Sequence, residues 1–230
     1  MRKILFWTFI TGYILAACNN NEIGGSGDVN PESIWFDYQI WGDEEGNNVT
    51  VKLQYRFAGP EGTTLLLSPP SEASLDGVPI EADSSKWDGA YYEVVIPVKN
   101  FNGEHEIVFT DINKKQYSEK FVFRAFTLRT EPPALVSRND LVFELEGLDP
   151  GEPVKLMISD TVFASKGVER MDTVRNGRML VRKSELEKLK NGPVHLEIYR
   201  DVEKRIKNGT AEGGRISISY SIKREFELRD

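Results

Sequence analysis

The stretch "GRISISYSIKREFELR" (214 to 229) alternates apolar and polar residues over its whole length. Ile216, Ile218, Tyr220 and Ile222 share one face with Phe226 and Leu228. Ser217, Ser219, Ser221, Lys223 and Glu225 share the other. A period of two is strand geometry, because successive side chains of an extended chain point to opposite sides. Arg224 alone breaks the apolar face, and a bulge or a strand end beyond the core would account for it. The same period recurs through most of the chain, in "NVTVKLQYRFAG", "YYEVVIPV", "EIVFTDINKKQYSEKFVFRAF", "LVFEL", "PVKLMIS", "GRMLVR" and "GPVHLEIYR". Short strands separated by turns every 8 to 12 residues, Asp76-Gly77 being one hairpin signal, are the profile of an all-β Greek-key sandwich.

Two such series are present. The first fills residues 33–127 and the second residues 128–230. Between them "LRTEPPALVSRND" carries Pro132 and Pro133, which favour extended chain and resist helix. The expectation is two β-sandwich domains in tandem, each with its own core and separable from the other. Ser184 followed by Glu187 has the spacing of a helix capping box, and one helical turn is expected there.

The N-terminus carries a different signal. Arg2 and Lys3 precede an uncharged apolar run, "ILFWTFITGYIL", too short to span a bilayer, and then Leu15-Ala16-Ala17-Cys18. A basic start, an apolar run and small residues before a cut describe an export signal. With the cysteine at the cut, the segment resembles a bacterial lipoprotein signal peptide (residues 1–17) with its lipobox. That resemblance implies acylation of Cys18 and attachment to a lipid membrane. Cys18 is the only cysteine, so the rest of the chain has no internal disulfide. Residues 18–32, polar and rich in Asn and Gly, are expected to be a flexible tether. With its Asn-rich tether, lipobox and tandem sandwiches, the chain resembles the uncharacterised Bacteroidota lipoproteins with immunoglobulin-like domains. The resemblance implies a cell-envelope protein, most often at the outer membrane, on either face. The two "DTV" triplets, at 160 to 162 and 172 to 174, resemble a short O-glycosylation motif of the same group.

Charge and motifs exclude much. The formal charge is −7. Without Arg2 and Lys3 the chain has 27 basic against 36 acidic residues, a charge of −9. No basic cluster stands out, which argues against nucleic acid as a partner. His105 and His195 lie in strands far apart, and neither a nucleophile motif nor a mature thiol accompanies them. The chain is read as non-enzymatic, with no catalytic residues and no cofactor. Asp43, Glu44 and Glu45 cluster oxygen ligands in "WGDEEGNN" without EF-hand spacing. This reads as a solvated turn, no metal is assigned, and calcium there is left open.

One segment raises a functional question. In "IWFDYQIW" (34 to 41), Ile34, Phe36, Tyr38 and Ile40 form the apolar face. The opposite face carries Trp35, Asp37, Gln39 and Trp41. Two indoles on a polar face suit three roles. They can be covered by other parts of the chain, including the Trp87 loop "SSKWDGAYY". They can anchor a protein interface, or they can form an aromatic platform for a polysaccharide. The candidate binding residues are therefore Trp35, Asp37, Gln39, Trp41 and Trp87. The candidate partners are an envelope protein, for which the chain is a binding or assembly module, or a glycan.

Overall fold

The computed structural model describes residues 23–163 and 165–230. The chain is all-β, as the alternation predicts. Strands in the first half are β1 (Ile23–Gly25), β2 (Ile34–Asp43), β3 (Asn48–Phe57), β4 (Thr64–Leu66), β5 (Glu72–Leu75), β6 (Val78–Pro79), β7 (Ala82–Ser85), β8 (Gly89–Pro97), β9 (Gly103–Thr110) and β10 (Gln116–Phe123). Then follow β11 (Thr127–Leu128), β12 (Leu135–Ser137), β13 (Leu141–Glu146), β14 (Pro153–Asp160), β15 (Val168–Thr173) and β16 (Arg178–Val181). A single helical turn, α1 (Lys183–Leu186), precedes the long pair β17 (Gly192–Arg205) and β18 (Gly214–Arg229).

One eleven-stranded sheet runs the length of the molecule, in the order β1-β4-β3-β2-β18-β17-β14-β15. β8 joins β3, β7 joins β8, and β12 joins β18. Among the described residues two smaller sheets accompany it, β10-β9-β5-β6 and β11-β13-β16. The inward face of β18 shows how the parts fit. Ile216, Ile218 and Tyr220 are buried beside β2 of the first half, where the Tyr220 ring meets Phe123 and Phe126 edge-on at 5.8 and 5.5 Å, and Ile222 lies beside Ile198 of β17. Phe226 and Leu228 continue the same face beside Val194 of β17. The buried side chains of both halves form one contiguous cluster.

The sheet is thus continuous across the 127/128 boundary expected from the prolines. β18 lies parallel to β2, with Gly214 beside Phe36, Ile216 beside Tyr38 and Ile218 beside Ile40. Gly214 permits this approach: a Cβ there would stand 2.5 Å from the Phe36 carbonyl oxygen. The first half's central strand, β2, therefore takes one of its two neighbours from the last strand of the chain.

Arg224 faces inward without a bulge, since β18 is unbroken from 214 to 229. It sits where the strand passes from one half to the other. Its guanidinium bonds Glu131 of the junction and Glu44 of the β2–β3 turn. Those hydrogen bonds, Glu131 first, push its pKa upward. Arg200 on β17 lies at the same crossing, buried, and donates to the Arg124 carbonyl oxygen at 2.5 Å and to Glu152 at 3.4 Å. Both breaks in the apolar faces are ties between the halves.

Two further expectations change. Residues 23–32, read as tether, are built into the fold. β1 pairs in parallel with β4, which otherwise pairs with β3 at a single position. Ser26 is buried and accepts a hydrogen bond from the Ser68 amide at 2.8 Å. The helical turn starts two residues before the expected box. Glu185, not Glu187, closes it by accepting from the Arg182 amide at 2.8 Å. Glu185 is also held by Arg170 of β15 at 2.7 Å.

Glu32 pins the entrance to the first core. It accepts from the Lys115 ammonium (2.8 Å), the Tyr117 hydroxyl (3.0 Å) and the Ala211 amide (2.9 Å). The Lys115 bond foremost, then the Ala211 and Tyr117 bonds, lowers its pKa below the ordinary 4.5. A carboxyl depressed by folding stabilises the native state above its unfolded pKa and loses that contribution as pH falls through the folded value. Glu32→Gln is expected to lower the melting temperature at pH 7, and the gap from wild type should narrow as pH falls below the ordinary carboxyl range. Melting curves of both proteins from pH 7 to pH 3 check this. A gap that stays constant contradicts it.

Candidate functional site: the open face of the wide sheet

The outward face of β2 is the face that the sequence singled out. The register places its neighbours. Trp35 lies beside Arg56, Asp37 beside Gln54, Gln39 beside Lys52 and Trp41 beside Thr50 on β3. On the other flank Asp37 meets Arg215, Gln39 meets Ser217 and Trp41 meets Ser219. Further out, Val95 on β8 lies beside Thr50, and Asp201 on β17 lies beside Ser219. A row of five strands across the sheet therefore reads Val95, Thr50, Trp41, Ser219, Asp201. The row is open to solvent: Val95 is 54% exposed and Trp41 39%.

The five candidate residues do not act together. Trp41 is available. Trp35 is half-buried, and its indole Nε1 is enclosed without a hydrogen-bond partner among the described residues. A Cβ on Gly213 would be 3.8 Å from its ring, which places the β17–β18 connection against it. Asp37 is buried, 2% exposed, and is already satisfied. Arg215 grips it with Nε at 2.9 Å and Nη2 at 3.2 Å, Arg56 stands at 3.9 Å, and Gln39 donates from Nε2 at 3.4 Å. This fork geometry is the strong form of a charge-assisted pair. Asp37 and Gln39 thus hold the sheet, and a row of two matched indoles is not formed.

Trp87 stands at the β7–β8 turn with 88% of its surface exposed. The turn is fixed from below. The Ser85 hydroxyl accepts the Asp88 amide at 2.9 Å, the Gln54 amide donates to the Asp88 carbonyl at 2.7 Å, and Lys52 bridges to the Asp88 carboxylate at 3.2 Å. The Lys52 contact lowers the Asp88 pKa. The Lys52 ammonium also lies 4.3 Å from the centre of the Tyr91 ring. Trp87 precedes the first residue of β8, Gly89, whereas Trp41 shares its row with Val95 near the other end of that strand. Gly89 and Val95 are about 20 Å apart at strand rise. One exposed indole therefore stands on the turn that leads into β8 and the other toward the far end of that strand, with Tyr91 and Lys52 on the strands between.

The other residues that the sequence raised are engaged with neighbours. His105 stacks on Phe101 at 3.9 Å, with Nδ1 2.7 Å from Asp76 and Nε2 2.8 Å from the Phe101 carbonyl. His195 pairs with Glu225 at 2.9 Å. Asp43 accepts the Gly46 amide and Glu44 accepts from Thr127 and Arg224, so two of the three carboxylates in that loop are already engaged. No group of metal-ligating side chains occurs among the described residues. No described helix is long and apolar enough to cross a membrane. Cys18 lies outside the described residues.

No known protein family and no curated protein matches the chain. Among solved structures, the immunoglobulin-domain pair DIP-gamma IG1+IG2 matches at 9% identity over 85% of this chain and 95% of its own, with a TM-score of 0.24. The Yersinia pseudotuberculosis adhesin InvE matches at 10% identity over 86% and 61%, with a TM-score of 0.23. SGBP-B of the Bacteroides ovatus mixed-linkage glucan utilization locus, solved with a heptasaccharide, matches at 13% identity over 76% and 52%, with a TM-score of 0.19. Similarity at this level carries no argument about ligand or partner.

Proposed function

We propose that the chain is a non-enzymatic binding module of the cell envelope, anchored by lipid at Cys18, that docks a protein partner on the open face around Trp41. The observation that carries the reading is the row that sets exposed Trp41 and exposed Val95 on either side of Thr50, toward one end of the outward face. Interfaces concentrate their energy in such aromatic anchors, ringed by polar residues that exclude water. Ser219, Lys52 and Asp201 supply that ring. The Ser219 hydroxyl beside the Trp41 indole, with Ser217 beside Gln39, also suits a sugar ring, which keeps a glycan as the second reading.

The two indoles separate the roles. Trp41→Ala is expected to reduce capture of the partner from native membranes at least about tenfold, the scale of an interface anchor, while the melting temperature falls by no more than a few degrees. Trp35→Ala is expected to cost about 2 to 4 kcal/mol of stability, because it empties a half-enclosed site. Affinity capture with each variant, alongside a glycan array, checks this. Loss of glycan binding with unchanged protein capture selects the second reading, and unchanged capture of both overturns the site.

The anchor is tested separately. Cys18→Ser is expected to leave an uncleaved precursor, since in the lipoproteins the leader resembles lipid attachment to sulfur precedes cleavage. Finding the variant membrane-bound at the normal mature mass contradicts lipidation at this position.

A further inference from the structure

Where β15 and β16 diverge, the second half has another open feature. The two strands are consecutive, joined by a turn through Asn176 (φ +52°) and Gly177 (φ +70°), yet they belong to different sheets. Each ends its sheet. Between their edges lies a groove of about 700 Å³ lined by four arginines and one carboxylate, Asp172. That balance is the reverse of the whole chain, at −7.

The four arginines are not equivalent. Arg170 is neutralised by Asp172 and Glu185, and its Nη2 donates to the Leu180 carbonyl at 2.6 Å. Arg178 pairs with Glu144 at 2.8 Å. Arg175 and Arg182 are exposed and have no ion-pair partner among the described residues. Arg175 is bridged to Arg178 across the turn, so these two mark one end of β16 and Arg182 the other. Between Arg178 and Arg182 on the same face stands Leu180, 38% exposed, with Val142 beside it on β13 at 51%. Cation, apolar residue, cation at every second position spans about 13 Å of strand.

We propose that this groove binds an extended acidic segment of a partner protein, with carboxylates four residues apart and an apolar side chain midway. One carboxylate meets Arg175 beside Arg178, the other meets Arg182, and the apolar side chain covers Leu180 and Val142. Arg170 already occupies the Leu180 carbonyl, so recognition runs through side chains and not through addition of a strand to β16. The apolar centre favours such a peptide over a uniformly anionic polysaccharide. The surface is distinct from the face around Trp41, and either can fail without the other.

The test uses the full chain in detergent and two labelled peptides of one composition. One contains Glu-Thr-Leu-Thr-Glu and the other Glu-Glu-Thr-Leu-Thr, each flanked by threonines. The expected result is saturable binding of the first, at least about tenfold tighter than the second, weakening as salt rises. The double change Arg175→Glu and Arg182→Glu should reduce it about tenfold or more, and Leu180→Ser several-fold. Should the double variant prove unstable, Arg175→Gln with Arg182→Gln and the Leu180→Ser protein carry the same comparison. Equal affinity for both peptides, no saturable binding, or binding indifferent to these changes overturns the proposal. Tighter binding of polygalacturonate than of the first peptide, lost in the same variants, also overturns it and assigns the groove to an anionic glycan.

Discussion

Residues 31–128 expressed alone are expected not to reach a cooperative fold, although their alternation alone suggests a self-sufficient domain. Without β18, the parallel partner of β2 is missing along Phe36 to Asp43. The core also loses Ile216, Ile218 and Tyr220, each under 9% exposed in the intact chain. Burying a side chain of this size is worth about 1.5 to 3 kcal/mol, so their loss removes about 4.5 to 9 kcal/mol. A domain's whole stability is about 5 to 15 kcal/mol. The fragment also presents a long unpaired strand edge, which invites aggregation. Far-ultraviolet dichroism and thermal melts of the fragment, with and without a peptide of residues 206–230, check this. Partial recovery with the peptide is expected. A sharp melt of the fragment alone near that of the full chain contradicts the shared sheet.

Arg215→Ala is expected to destabilise the full chain by about 1 to 3 kcal/mol, because a buried carboxylate loses its two-point charged partner while Arg56 and Gln39 stay beside it. Asp37 is 2% exposed, and after the change its nearest cation is Arg56 at 3.9 Å. Asp37→Asn in the same chain removes the stranded charge and is expected to restore part of the loss. The coupling is read from denaturant unfolding of the two single variants and the double variant. Additive effects contradict a direct role for the pair.

Much of this fold was legible in the sequence, for one reason. A period of two assigns each residue to a face. It put Ile34, Phe36, Tyr38 and Ile40 in the core, where each is 1% exposed, and the Asp76-Gly77 signal marks the turn between β5 and β6. Faces are not neighbours, however. Nothing in the alternation says that β18 lies beside β2, because that pairing joins residues about 180 apart. The candidate site inherits the same blind spot. Asp37 looks free on its own strand and is held by Arg215 of the last one. Trp35 looks equivalent to Trp41 and is half-enclosed by the chain before Gly214. Arg224 and Arg200 interrupt apolar faces in the sequence, and such breaks were the available sign of the crossing between the halves. Residues 23–32 have the composition of a tether, and their docking rests on a few backbone and side-chain bonds to β4 and the 206–213 connection.

Docking of a protein on the face around Trp41 is tested most directly by site-specific photocrosslinking in the native envelope. A benzophenone side chain at Val95 reports on that face, and one at Val78, exposed on the small sheet β10-β9-β5-β6, serves as control. The expected result is a single discrete protein adduct from position 95, absent from position 78 and abolished by Trp41→Ala in the same chain. An adduct that survives Trp41→Ala, equal adducts from both positions, or none from position 95 contradicts docking there.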